Sequence, residues 1–205
     1  MTVILPGDVI ERVDFDARIH RYQVKGRVVP SVTQVMKPLS DAVYRTVDPA
    51  VLAAKAAFGT AVHACTEYLD RDELDEESVA PEWKPYLDAY RAWRTQVQPD
   101  IKKIEWRLGS PKYAGTIDRM VEIDGDPWIV DIKTTAELHP MVGVQLAAYE
   151  ALAMGALHTH RRFRRAALQL KPDGSYRFQE FKDFQDEICF SALLSIYYWS
   201  EKHHG

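Results

Sequence analysis

The stretch "GTIDRMVEIDGDPWIVDIKTT", residues 115 to 135, carries Asp118, Asp131 and Lys133 within what reads as one β-hairpin. A strand rises about 3.3 Å per residue and alternates faces, so Asp131 and Lys133 point the same way, roughly 6 to 7 Å apart. Pairing about the turn at Asp124-Gly125-Asp126 brings Asp118 opposite the Asp131 region, and a slip of one residue would flip it away. Neighbouring carboxylates repel unless a cation lies between them. Lys133 alone could neutralise one acid in a structural ion pair, and such spacings recur by chance, as Glu82-x-Lys84 shows. Asp131, however, sits inside "WIVDI", where a charge without strong compensation is costly. A divalent metal is the simplest resolution. Hard oxygen ligands select Mg²⁺ or Mn²⁺, one ion or two, over zinc. Such an ion activates water and stabilises negative charge developing on a phosphate. A nearby lysine orients that water, deprotonates it if its own pKa is lowered, or neutralises the transition state. Phosphodiester hydrolysis fits these parts better than acyl transfer.

Two helical patterns converge on the same chemistry. In "GTAVHACTE", Gly59, His63 and Glu67 step by four and form one stripe. Gly59 weakens a helix by about 1 kcal/mol relative to Ala, and its missing side chain leaves room for a close approach. In "VQLAAYE", Gln145 and Tyr149 also step by four, shortly after the Lys133 strand. Taken singly, His63 reads as a surface imidazole and Tyr149 as core.

The elements that must position these residues are legible in outline. Tyr22, Val24 and Val28 alternate around Lys25-Gly26 as a hairpin that Pro30 ends. Asp48-Pro49 starts a helix of about five to six turns, with Phe58, Val62, Cys65 and Leu69 as its core stripe. The acidic stretch 70–77 and Pro81 make a loop, after which Tyr86, Tyr90, Trp93 and Val97 mark a second amphipathic helix stopped at Pro99. Strands follow at 101–108, 113–123 and 128–134, then a helix from Met141 to Ala153 capped by Gly155. A hairpin of 164–170 and 176–181 precedes a last helix starting near Asp183, which carries Ile188, Leu193, Leu194, Ile196 and Tyr197. That order predicts an α/β fold, a central mixed β-sheet flanked by helices. Trp83, Trp93, Trp106 and Trp128 fall on its core faces.

With 205 residues and no internal repeat or linker, the chain reads as a single domain over 1–205. No apolar run approaches the roughly 20 residues of a bilayer span and no signal peptide opens the chain, so a cytoplasmic setting without a membrane partner is expected. Cys65 and Cys189 are too few for a disulfide framework or for the thiolates of an iron–sulfur cluster. The net charge of -4 argues weakly against a polyphosphate partner, yet an acidic metal site lowers the sum without repelling a substrate that arrives with cations. "RRFRR", residues 161 to 165, offers Arg161, Arg162, Arg164 and Arg165 around an aromatic, a pattern suited to DNA backbone contact; a solvated loop or strand edge is the plain alternative.

In order, "GTAVH", Glu105, "GTID", "VDIKTT" and "QLAAY" resemble the RecB-like branch of the PD-(D/E)XK nuclease superfamily. The flanks "HRYQVKGRVVPSVTQVM" and "LQLKPDGSYRFQEF" look like those of phage-encoded members, so the resemblance covers most of the chain. It implies a restriction-endonuclease-like core in which His63, Asp118, Asp131 and the Ile132 carbonyl bind metal and Lys133 is the catalytic lysine. Glu67 and Glu105 would be supporting acids, and Gln145 and Tyr149 would place the lysine and the DNA. Arg119 and Thr134 are phosphate contacts by adjacency only.

Relatives with an iron–sulfur staple or a fused helicase differ from this chain, which resembles small stand-alone exonucleases that resect double-stranded DNA ends. Such enzymes pass a single strand to an annealing or recombinase protein, in the cytoplasm of the bacterial host where phage-encoded. The expectation is a Mg²⁺- or Mn²⁺-dependent exonuclease. Its rivals are an endonuclease of the same fold and a non-catalytic DNA-binding protein, and a homo-oligomer stays open.

Overall fold

The structure, a computed structural model, describes residues 9–11 and 13–204. The expectation that no signal peptide opens the chain rests largely on residues outside that set. Among the described residues a five-stranded sheet runs in the order β4 (Asp100–Gly109), β5 (Ala114–Ile123), β6 (Asp126–Lys133), β7 (Arg164–Leu170) and β8 (Tyr176–Glu180). The β6–β7 pair is parallel and its neighbours are antiparallel. A parallel pair needs a long crossover, which α5 (Met141–Ala156) supplies. A smaller antiparallel sheet, β1 (Asp14–Asp16), β2 (Arg21–Val24) and β3 (Arg27–Val29), meets β5 through Tyr22, whose hydroxyl lies 2.9 Å from that of Thr116. The fold is therefore α/β, with a mixed sheet flanked by helices.

One face of the large sheet packs on α5, α6 (Gln185–His204) and the short α1 (Val32–Val35). The other packs on α3 (Pro49–Asp70) and α4 (Lys84–Val97), with Tyr90 and Trp93 fully buried. Local chemistry explains the boundaries. Asp48 accepts the Ala50 N–H at 2.7 Å and Pro49 opens α3. Asp124 (φ 52°) and Gly125 (φ 81°) give the β5–β6 hairpin the left-handed backbone of a type I′ turn. Two short helices, α1 and α2 (Lys37–Tyr44), were not anticipated; the overlooked signal is the Ser31–Gln34 capping box. Gly155 is not a cap, because α5 continues through it to Ala156. No helix among the described residues is long and apolar enough to cross a membrane.

The sheet changes phase where the acids sit. Trp106 and Ile117 belong to the core beneath α5 and α6, whereas Val121 belongs to the core beneath α3 and α4. Strict alternation would put Ile117 and Val121 on one face. Between the pairs Ile104–Arg119 and Trp106–Ile117 stand Glu105 and Asp118, and Glu105 has φ 46°, a left-handed conformation uncommon for a non-glycine residue. The switch turns Arg119 toward α3 and α4. Arg119 is fully buried, and its guanidinium donates to Asp70 at 2.6 Å, to the Asp118 carbonyl at 2.6 Å, to Thr66 at 3.2 Å and to Glu105 at 3.3 Å. Asp70, the last residue of α3, also accepts from Tyr90 at 2.5 Å and from Arg94.

Removing one partner of a buried ion pair leaves an uncompensated charge, so Asp70→Ala should destabilise the protein by about 3–5 kcal/mol. Urea unfolding would check this; a loss below about 1 kcal/mol would mean the pair is dispensable.

Candidate functional site

His63, Glu105 and Asp118 converge from α3, β4 and β5, each offering a ligand atom within 4.8 Å of the others. The Nε2 of His63 lies 2.7 Å from the Ile132 carbonyl oxygen and donates to it. Nδ1 then turns a lone pair toward Asp118 Oδ2, 3.5 Å away. Two acceptors facing each other need a cation between them, either a second ring proton or a metal ion. The same Asp118 oxygen accepts the Ile132 N–H at 2.7 Å. This is possible because the β5–β6 ladder stops at Arg119–Val130, which frees the Ile132 amide and carbonyl for side chains.

Beside this triplet lies a second group. The Lys133 ammonium sits 2.6 Å from Asp131 Oδ2 but out of hydrogen-bonding line, so that buried oxygen accepts no aligned hydrogen bond. Lys133 donates instead to Gln145 Oε1 at 3.2 Å, and the Gln145 amide donates to the Tyr149 hydroxyl at 3.1 Å. Gln145 and Tyr149 therefore fix the lysine from one face of α5. Gly115 makes room for them: a Cβ there would meet Tyr149 Cε1 at 2.6 Å and Val32 Cγ2 at 3.2 Å. The glycine of "GTID" is thus a packing requirement of the tyrosine.

The electrostatics reflect two acids in a half-closed site. Burial and then the Asp118 charge push the Glu105 carboxyl up to about 8, against the pull of Arg119. Burial raises the Asp131 carboxyl, with Lys133 opposing and Asp118 reinforcing. For Lys133, burial works against the ammonium, but Asp131 and Asp118 outweigh it and hold the group above its usual value. The two carboxylates thus favour the charged ammonium in the metal-free site. Glu67 is ion-paired with Arg71 at 2.6 Å, and its charge reaches Glu105. Thr134 follows β6, its hydroxyl 3.4 Å from where a Cβ on Gly59 would lie, so the glycine brings α3 against the strand end.

The donor set, one imidazole and two carboxylates, can hold a metal ion. Glu105, expected as a supporting acid, stands inside the triplet. Asp131, expected as a ligand, lies beside the triplet against Lys133, and the Ile132 carbonyl, also expected as one, faces His63.

Of the arginines expected to touch DNA, Arg119 and Arg165 are buried, whereas Arg161, Arg162 and Arg164 are exposed. Arg119 is fully enclosed and has no surface to offer a phosphate. Parallel pairing sets Arg164 beside Trp128 and Gln169 beside Lys133, so the basic run lies at the far end of β6, five residues or roughly 16 Å from the lysine. There Arg161 donates to the Gly125 carbonyl at 2.8 Å, and Arg162 to Glu150 at 2.7 Å and to Glu187. Arg164 pairs with Glu180 at 2.7 Å and stacks 4.1 Å over Trp128, while Arg165 is buried near Glu150 and Asp186. The run locks α5, α6 and the sheet together.

Three positioning residues escaped the sequence reading. Thr66 and Asp70 extend the His63 stripe at i+3 and i+7, which was a usable signal. Gln169, buried on β7, donates to the Thr135 and Ala136 carbonyls at 2.7 and 2.9 Å and holds the chain leaving β6; nothing in its local sequence announces it.

No protein-family profile matches the chain, and a comparison with curated proteins finds no match.

Two outcomes follow from this geometry. Between an unfolded value near 4.3 and about 8, Glu105 is ionised in the unfolded chain but protonated in the metal-free fold, so stability falls as pH rises through that window. In EDTA the melting temperature should therefore drop from pH 5 to 8, Glu105→Gln should flatten the drop, and a bound divalent ion should reverse it at pH 8. A wild-type profile identical to that of Glu105→Gln would refute the assignment. Gly115→Ala should displace the Tyr149 ring and loosen Gln145, at about 1–3 kcal/mol in stability; an unchanged melting temperature and tyrosine environment would count against the close approach.

Proposed function

We propose that the chain is a divalent-metal-dependent deoxyribonuclease with a RecB-like PD-(D/E)XK core, acting as an exonuclease on double-stranded DNA ends. The observation that carries this reading is the convergence of His63, Glu105 and Asp118 beside the Asp131–Lys133 pair, with Gln145 and Tyr149 behind the lysine. These are the residues, on the helices and strands, that the family resemblance implies. Hardness of the donors favours Mg²⁺ or Mn²⁺.

When bound, such an ion supplies Lewis acidity toward the phosphate and activates water. His63, Glu105 and Asp118 hold it, with Asp131 the further acid that the resemblance adds. Lys133 would donate hydrogen bonds and positive charge to the phosphate as negative charge builds. Gln145 fixes the direction of that donation and Tyr149 fixes Gln145. Glu67 adds negative charge that favours metal over its absence. Thr134, just beyond the strand, offers a hydroxyl to the same phosphate. The single strand left by resection would pass to an annealing or recombinase protein.

The test is digestion of linear and covalently closed circular duplex DNA with Mg²⁺, with Mn²⁺ and with EDTA. Metal-dependent loss of the linear form alone is expected, and Lys133→Ala and Asp131→Ala should lower the rate by about 10³-fold while melting cooperatively. Cutting of the circle would replace the exonuclease by an endonuclease. Metal-dependent DNA binding without product, or full turnover by Lys133→Ala, would overturn the catalytic assignment.

A further inference from the structure

The small N-terminal sheet packs beside the acid site rather than behind it. Trp106, Leu108 and Ile117 belong to the core beneath α5 and α6, and a Cβ on Gly115 would face Tyr149 of α5. Alternation therefore sends Arg107 and Thr116 to the other face of β4 and β5, the face on which His63 of α3 meets the acids. The two are cross-strand partners, and each stands two residues from a candidate ligand, Arg107 from Glu105 and Thr116 from Asp118. Two residues of strand span roughly 6 to 7 Å. The N-terminal sheet covers that same stretch: the Tyr22 hydroxyl lies 2.9 Å from that of Thr116, and a Cβ on Gly109 would run into Val24 Cγ2 at 2.5 Å. Burial raises the Tyr22 phenol above its usual value, and the charges of Arg107 and Glu105 act on it with opposite sign, so both reach one hydroxyl.

Arg107 differs from the other arginines near the acids. Arg119 is buried, Arg71 is paired with Glu67 at 2.6 Å and Arg94 is paired with Asp70. Arg107 is exposed on the edge strand β4, and among the described residues no carboxylate lies within ion-pair distance of it. Its guanidinium sits 5.4 Å from the centre of the Phe15 ring, which packs 4.4 Å from the ring of Tyr22. An aromatic ring attracts a guanidinium by its face and leaves the in-plane N–H groups available to a further acceptor. Phe15 and Tyr22, tied to β5 through Thr116, thus form a platform that holds a cation at the rim of the acid site.

We propose that Arg107 is a DNA-contact residue whose guanidinium binds a backbone phosphate adjacent to the one at the acid site. The inference rests on the nuclease reading and adds to it a second point of attachment. A guanidinium meets phosphate oxygens with paired, charge-assisted hydrogen bonds, and the ring beneath it limits the side-chain freedom lost on binding. The offset between Arg107 and the acids along β4 is of the order of the spacing between successive phosphates of a strand. A metal ion and Lys133 would hold one phosphate, and a cation one step along the strand would hold the next, so the backbone is fixed in direction as well as in position.

Anisotropy of a labelled DNA duplex, titrated with the full chain in the Asp131→Ala background with Mg²⁺, tests this without turnover. Between about 50 and 250 mM NaCl, Arg107→Ala and Arg107→Gln should bind about tenfold more weakly. They should also lower the steepness of log K against log salt by about 0.9, the value of one phosphate contact. Arg107→Lys should restore the slope, because it returns the charge, but not the full affinity. Lys202→Ala removes an exposed charge from α6, beneath the other face of the sheet, and should change neither. A neutral methylphosphonate placed at each phosphate near the duplex end in turn should weaken the parent at one position to which Arg107→Ala is indifferent. Arg107 is exposed, so every variant should melt as the parent does. Parental affinity and slope in Arg107→Ala and Arg107→Gln, or a parental response to every neutral linkage, would make Arg107 a solvated surface residue and overturn the proposal while the nuclease reading stands. A wild-type chain that neither binds nor cleaves DNA would instead remove the nuclease reading, and this inference with it.

Discussion

The Arg119 guanidinium is the interaction on which the site depends. It is wholly buried, and its donors reach Asp70 and Thr66 on α3, Glu105 on β4 and the backbone of Asp118 on β5. One rigid, planar cation thus joins the helix that carries His63 to the two strands that carry the acids. A lysine could not replace it, because the contacts diverge in the fixed fork of a guanidinium. The arrangement also explains why two carboxylates can be held together in a metal-free fold. Glu105 is partly neutralised from below by Arg119, while burial and then the Asp118 charge keep its carboxyl raised. Burial alone would make the Arg119 charge costly, but five hydrogen-bonding partners, the Tyr90 hydroxyl among them, offset the desolvation.

From that anchor the position of the site follows from where the sheet ends. In open α/β sheets the ends of parallel strands leave a crevice, and ligands collect outside the carboxyl ends. Here β6 and β7 are the parallel pair, and β6 reaches its carboxyl end at Lys133. The β5–β6 ladder stops three residues earlier, so the Ile132 amide and carbonyl bind Asp118 and His63 instead of a neighbouring strand. The phase switch at Glu105 and Asp118 belongs to the same design: it frees two acids from the regular in-and-out alternation and sends Arg119 to the opposite core. The left-handed φ of Glu105 is local strain, and the observed convergence of ligand atoms is what it produces.

Much of this was legible from residue spacing, and the limits have physical causes. The hairpin around Asp124-Gly125 and the pairing of Lys133 with Asp131 are local, decided by a turn and a two-residue period. The stripes of α3 and α5 are equally local, which is why His63, Gln145 and Tyr149 arrive where spacing puts them. What spacing could not carry is information from distant partners. Arg119 looked available because it stands next to Asp118, but strand phase turned it inward toward Asp70, forty-nine positions earlier. The counter-charges of "RRFRR", Glu150, Glu180 and Glu187, lie on other elements, and parallel pairing, not proximity in sequence to α5, decides which end of β6 it meets, so neither was visible locally.

The relocation of those arginines changes how a polyanion would have to be held. With Arg165 buried, Arg161, Arg162 and Arg164 sharing their exposed charge with nearby carboxylates and a formal charge of -4, the net long-range attraction to a polyanion is weak. On the proposed reading, short-range attraction would come from an ion held by the acid site together with Lys133. On that reading substrate capture would be coupled to metal binding, because a bound cation would offset the charge of Asp118 and displace the proton that Glu105 keeps in the metal-free fold.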